Sequence, residues 1–255
     1  LAETARAAPV VAARPRPGLY LRQLDIPGVD SKFIEAHKGI LKTLLDQVLP
    51  ASAIDPRFDG LNEQGFEKRY GLNYEGPAIR FRLLDPALAA EFGGLTDLSI
   101  PLTDFARLAL LVDRVFITEN KVNGLAFPPV RNALVIFGLG YGVQALREVP
   151  WLQDCRLHYW GDIDSHGFAM LSQLRGYFPR AASLLMDEAT LLHCRPLWGE
   201  EPAGKGHPAD RLPHLTDAEQ RLYQRLKEGY WQPRLRLEQE RIPFPLLEAA
   251  LSSLP

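Results

Sequence analysis

Apolar residues recur along this chain with two different periods, and the change of period divides it. From Ser31 onward Phe33, His37, Ile40, Leu41, Leu44, Leu45 and Val48 return at helical spacing, with Ser31 available as N-cap and Pro50 as terminator. A short element over Gly65–Leu72 follows, and then Ala78-Ile79-Arg80-Phe81-Arg82-Leu83-Leu84 alternates as a half-buried strand should. Pro101–Leu108 reads as one more helix. Helices followed by an arginine-bearing strand predict a small winged-helix-like α+β domain over residues 31–110.

Beyond Asp113 the pattern changes. Near-continuous apolar runs at 114–118, 133–137, 156–160 and 182–186 predict strands. Helical patterns separate them: Val143–Val149, then Phe168, Leu171, Leu174 and Phe178 on one face, stopped by Pro179. Apolar strands alternating with helices imply an α/β fold, a parallel sheet flanked by helices over residues 111–199. Two flanking regions complete the expected organisation. Residues 1–30 are rich in Ala, Pro and Arg, with Arg14-Pro15-Arg16-Pro17-Gly18 breaking any helix, and read as a linker or arm. In 200–255, a Pro/Gly/His-rich loop precedes a capping box, Thr216-Asp217-Ala218-Glu219, and then Arg234, Arg236 and Arg241.

Composition narrows the class. Hydrophobic residues make up 46% and charged residues 24% of 255, ordinary for a globular protein. The apolar stretches are too short to span a bilayer, no signal-peptide pattern opens the chain, and two cysteines, Cys155 and Cys194, cannot build a disulfide framework or a zinc cluster. A reducing cytoplasm and no membrane partner are expected. A net charge of -2 excludes a surface coated in positive charge, although a DNA enzyme needs only a local basic face. The chain opens on Leu1, and we expect it to be part of a longer protein.

The candidate chemistry sits at the strand ends. Glu119 closes Val115-Phe116-Ile117-Thr118-Glu119, and Asp162 and Asp164 follow a strand in Gly161-Asp162-Ile163-Asp164-Ser165-His166-Gly167. Ligands of open α/β sheets bind at the carboxyl ends of the strands. Three carboxylates there repel one another unless a cation or a proton compensates them, so the pattern points to Mg²⁺, with Mn²⁺ as a possible substitute. A second ion could stabilise attacking and leaving oxygens together. Asp164 alone could equally N-cap the following helix. Lys121 could neutralise a phosphate or lie in solvent, and His166 could move a proton or pack over the site. His158, inside its strand, reads as a hydrogen-bonded core residue. Arg80 with Arg82, and Arg234 with Arg236, are spaced to line a DNA phosphate track or to pair with acids such as Glu238 and Glu240. Gly138-Leu139-Gly140-Tyr141-Gly142-Val143 suggests a dinucleotide loop, but Val143 stands where Gly or Ala is required.

Glu119-Asn120-Lys121 together with Gly161–Gly167 resembles the Toprim fold of topoisomerases, primases and nucleases. More narrowly, Tyr20–Glu35, Ile79–Asp85, these motifs and Arg236–Pro243 resemble the C-terminal part of the JetD family, nuclease subunits of the bacterial Wadjet anti-plasmid system. The resemblance covers nearly the whole chain. It implies a core like the A subunit of type VI topoisomerase, with a CAP-like winged-helix domain followed by Toprim. It also implies a homodimer, double-stranded DNA as substrate, and an SMC–kleisin motor complex as partner. Glu119, Asp162 and Asp164 inherit the metal-ligand role. Topoisomerase relatives attack DNA with a tyrosine of the winged-helix domain. Tyr70 and Tyr74 are the nearest candidates here, neither in a matching segment, so hydrolysis by an Mg²⁺-dependent endonuclease is expected. A tyrosine transesterase and a catalytically idle assembly platform are the alternatives.

Overall fold

The computed structural model describes residues 13–62 and 64–254, and the chain divides into two compact units, Leu1–Gly76 and Pro77–Pro255. Part of the expected arm, residues 1–12, lies outside the described residues.

The first unit is helical. Among its described residues it holds the helices α1 (Ser31–Ala36), α2 (Lys38–Val48) and α3 (Gly65–Tyr70). Asp30, not Ser31, caps α1, accepting from the Phe33 N–H at 2.7 Å. The expected single helix breaks at His37, whose φ of -120° and ψ of 20° leave the helical region. Leu41 and Leu45 of α2 pack with Phe66 and Tyr70 of α3 in one core. Leu21, Ile26 and Val29 join that core, so the arm expected over 1–30 is ordered by burial well before Asp30. Among its described residues this unit has no strand, only isolated bridges. The arginine-bearing strand expected to serve it belongs to the second unit, and the division falls at Gly76–Pro77 instead of residue 110.

That second unit is an α/β structure built on a six-stranded sheet. Its strands are β1 (Ala78–Leu83), β2 (Asp97–Pro101), β3 (Arg114–Thr118), β4 (Ala133–Phe137), β5 (Arg156–Trp160) and β6 (Ala182–Ser183), in the order β2-β1-β4-β3-β5-β6. β4, β3, β5 and β6 are mutually parallel, while β1 and β2 add an antiparallel edge. The reason β1 joins this sheet is its alternation: Ile79, Phe81 and Leu83 bury into the main core, and Arg80 and Arg82 take the other face. β6 is shorter than expected because Leu185, at φ 55°, leaves extended backbone. The expected helix after the glycine run is 3₁₀ over Gly140–Glu148.

Helices α4 (Pro86–Ala90), α5 (Leu102–Phe105), α6 (Lys121–Ala126), α7 (Ser165–Tyr177) and α8 (Glu188–His193) lie between strands or follow them. After α8 come β7 (Gly199–Glu200), α9 (Asp217–Lys227), β8 (Leu235–Arg236) and α10 (Phe244–Ser252), with β7 and β8 forming a short antiparallel pair. The capping box opens α9 as its sequence requires. Among the described residues no helix is long and apolar enough to cross a membrane.

Candidate active site

β3 and β5 are parallel neighbours, and Thr118 pairs with Trp160 at their carboxyl ends. Glu119 therefore leaves the sheet level with Gly161, and Asp162 follows one residue on. Gly161 is required by close approach: a Cβ there would stand 2.6 Å from Glu119 Oε1 and 2.8 Å from the Tyr159 hydroxyl. Tyr159, fully buried in β5, donates that hydroxyl to Glu119. Gly167 has the same logic, since a Cβ there would overlap the Asp162 carbonyl oxygen. Gly161 thus leaves room for the Glu119 carboxylate, and Gly167 for the backbone of the turn that carries Asp162.

Asp164 fulfils both roles open to it. Its Oδ1 caps α7, accepting from His166 N at 3.0 Å and Gly167 N at 2.8 Å. Its Oδ2 takes the Arg236 guanidinium at 3.2 Å.

A late segment closes the site. Ile163 and Leu237 exchange two backbone hydrogen bonds, 2.9 and 3.1 Å, which lays the end of β8 across the Asp-Ile-Asp turn. Arg236 then reaches Asp162 Oδ2 at 2.5 Å and also stands 3.4 Å from Glu238. Gln239, 1% exposed, ties the strand ends together. Its backbone N–H donates to Asp162 Oδ1 at 2.8 Å, and its side chain donates to Thr118 Oγ1 at 2.5 Å and the Trp160 carbonyl at 3.0 Å. The Asn120 N–H donates to Gln239 Oε1 at 3.2 Å.

A cavity of about 190 Å³ lies here, lined by Glu119, Asp162, Asp164, His166, Glu201, Pro202, Lys205 and Arg236. Four carboxylates face two cations. Burial, opposed by the Tyr159 hydrogen bond and reinforced by Asp162 and Asp164, pushes Glu119 up to about 7. Asp164 is pushed up to about 6, again chiefly by burial, against the Gly167 hydrogen bond and with repulsion from Asp162 and Glu201. The site is short of positive charge.

The other expected residues are placed as follows. His166 reaches the cavity, and its Nε2 contacts the Lys205 carbonyl at 2.5 Å, so Nε2 carries the hydrogen. Lys121 opens α6, exposed, and is not among the cavity residues. Arg80 makes a two-point pair with Asp97 at 2.6 and 3.0 Å, and Arg82 donates to the Gly124 and Leu125 carbonyls. Arg234 pairs with Glu200 at 2.5 Å and lines a neighbouring cavity of about 320 Å³ that shares Glu201 and Pro202 with the first. Of the four expected DNA-contacting arginines, Arg236 alone lines the acidic cavity. His158 is buried and held down to about 4 by burial. Its place in the core is as expected, and its Nδ1 has no hydrogen-bond partner among the described residues. Tyr70 is buried, its hydroxyl given to Asp46 at 2.7 Å; Tyr74 is half-buried.

As oxygen donors on neighbouring strand ends, Glu119, Asp162 and Asp164 fit a hard divalent cation. Their arrangement is nevertheless that of a guanidinium-bridged pair. Among the described residues no three His, Cys, Asp or Glu side chains are disposed to hold a metal as they stand.

Residues 71–251 match the family model described as Wadjet protein JetD, C-terminal. The chain belongs to that family. As a JetD-family chain it is a Wadjet-system subunit, and its acids and its closing segment all fall inside the matched region. Residues 1–46 match a second model, described as an uncharacterized protein conserved in bacteria, N-term (DUF3322). No curated protein matches the chain.

Sequence reasoning missed Gln239, Tyr159 and Glu201. Gln239 sat inside the Arg236–Pro243 segment that carried the family resemblance, and that was the available signal. Tyr159 looked like one more strand residue. Glu201 lies in a Pro/Gly-rich loop with no periodicity to place it.

Proposed function

We propose that this chain is the nuclease subunit of a Wadjet complex, a metal-dependent endonuclease that hydrolyses DNA phosphodiesters. One observation carries the reading. Glu119 and Asp162 leave the carboxyl ends of neighbouring parallel strands, Asp164 follows within the same turn, and Glu119 and Asp164 are held well above the usual carboxylate range. Such a site gains most from a dication, and Mg²⁺, or Mn²⁺ in its place, would be held by these three side chains. When bound, the ion supplies charge to the scissile phosphate and an activated water.

The chain's own groups do the rest. Gln239 fixes the level of the β3 and β5 ends through Thr118, Trp160 and Asp162. Tyr159 orients Glu119. Lys205 lines the cavity where a phosphate would enter, and His166 presents its remaining ring nitrogen as an acceptor for a proton. Family membership supports an SMC–kleisin-type motor as partner, a homodimer as the working form and bacterial cytoplasm as the location.

Two other readings have their own observations. A tyrosine transesterase would need a free hydroxyl, and Tyr70 gives its own to Asp46. An idle assembly platform draws on the Arg236–Asp162 pair, which neutralises part of the site. Plasmid cleavage by the protein with its Wadjet partners, ATP and Mg²⁺ separates these readings. Cutting should be lost in EDTA and in Asp162→Asn/Asp164→Asn, with no protein–DNA adduct after denaturation. Undiminished cutting by the double variant would overturn the proposal.

A further inference from the structure

Arg236 occupies the acidic site in a manner unlike the other arginines of this unit. Its guanidinium bridges two of the three acids, 2.5 Å from Asp162 and 3.2 Å from Asp164. Arg80 and Arg234 each pair with a single carboxylate outside the acidic cavity. The backbone that carries Arg236 is fixed on both sides. β7 pairs with β8, and Leu237 is hydrogen-bonded to Ile163 between the two aspartates. The guanidinium itself is not sealed in. Its side chain is 31% exposed and lines the open cavity, so it can leave without unfolding its strand.

We infer that Arg236 is the resident counter-ion of the acidic site and that a divalent cation displaces it. Metal entry and departure of the guanidinium would then be one event. The inference rests on the metal reading proposed above. Its physical basis is exclusion. A guanidinium and a dication cannot both take the Asp162 and Asp164 Oδ2 atoms, and the like charges would repel across a site only a few ångströms wide. Without the arginine, Lys205 would be the one cation left among the cavity's lining residues to face four carboxylates. With it, the protein carries an internal competitor that weakens metal binding until the concentration of the ion, or the arrival of a new partner for the guanidinium, shifts the balance. Phosphate is the chemistry best suited to that release, because an arginine fork matches it as well as it matches carboxylate.

The test is metal binding by the full chain without DNA, followed by the electron paramagnetic resonance of free Mn²⁺. Arg236→Gln should bind Mn²⁺ about tenfold more tightly or better, the worth of one set of charge-assisted hydrogen bonds removed from competition. Arg236→Lys, which keeps a cation, should stay near wild type. Asp164→Asn should weaken binding. Should Arg236→Gln fail to fold, the wild-type protein still decides the matter. The Arg236 Nε–H resonance, assigned by its absence in Arg236→Lys, should move on titration with Mg²⁺ as the guanidinium leaves its carboxylates. Mn²⁺ affinity lost in Asp164→Asn but equal or weaker in Arg236→Gln, or an Nε–H resonance unmoved at saturating Mg²⁺, would overturn displacement and leave the metal reading standing. No Mn²⁺ bound by wild type or by Arg236→Gln would overturn both.

Discussion

Two acid–arginine clusters in the second unit share their chemistry and differ in outcome. Glu219 on α9 meets Arg175 of α7 in a pair whose side chains are each 9% exposed. Burial alone would raise Glu219, but Arg175, Ser183 and the Thr216 backbone outweigh it and hold the acid at about 2. Arg175 also donates to the carbonyls of Ala181 and His214, so its own donors are used. In the acidic cavity one arginine serves two aspartates with Glu119 and Glu201 beside them, and Glu119 and Asp164 rise instead of falling. A closed, buried pair of one acid and one arginine, whose acid also accepts from Ser183 and Thr216, is structural. A cluster with more carboxylates than cations is a site waiting for charge.

Exchanging the acids should produce the largest effect and break the comparison cleanly. Glu119→Gln, Asp162→Asn and Asp164→Asn should each cut partner-activated cleavage roughly a thousandfold or more, since the ion's contribution to the transition state is several kcal/mol. Thermal melts without divalent metal should show Glu119→Gln and Asp164→Asn at least as stable as wild type, because burial and repulsion penalise the charged forms of those two acids. The reverse behaviour is expected at the structural pair. Arg175→Ala should cost about 3–5 kcal/mol in denaturant titrations by stranding a buried carboxylate.

The pH dependence sharpens the same contrast. Because the folded value of Glu219 is depressed, from 4.5 to about 2, its stabilisation is complete above about pH 4.5 and is lost as pH falls through about 2. The gap in melting temperature between wild type and Glu219→Gln should therefore be constant near neutrality and close across that acidic window.

Smaller effects are expected around the site. Gln239→Leu removes the donors to Thr118 and Trp160 and the acceptor for Asn120. It should cost about 1–3 kcal/mol in a denaturant titration and lower cleavage about tenfold by loosening the strand ends. Least of all, Arg80→Ala should change stability by under about 1 kcal/mol, because its pair with Asp97 is partly exposed. Its salt slope for DNA binding should match wild type, whereas a slope shallower by about one unit would put Arg80 on phosphate after all.

The strand-end acids were legible because apolar runs ending in Glu119 and Asp162 leave little freedom about where those residues lie. The alternation of Ile79, Phe81 and Leu83 also announced a strand. Its ownership was not announced, since pairing with β4 joins residues as far apart in the chain as Phe81 and Ile136, which local pattern does not encode. For the same reason Arg236 was visible as a basic residue and not as a partner of Asp162, 74 positions away. Gln239 was harder still. An amide carries no pattern, and only the converging ends of β3 and β5 make it indispensable.

The way Arg236 and Gln239 enter the site has a consequence for how the protein is made. A nascent chain that has emerged from the ribosome as far as residue 200 already holds Glu119, Asp162 and Asp164, but neither the arginine that neutralises them nor the amide that levels them. Synthesis therefore delivers the acids first and the finished geometry last. A chain stalled or cut before Leu235 would carry the three acids with neither the guanidinium that bridges Asp162 and Asp164 nor the amide that joins the ends of β3 and β5, so the balance of charge at this site is set only when the last fifth of the chain is made.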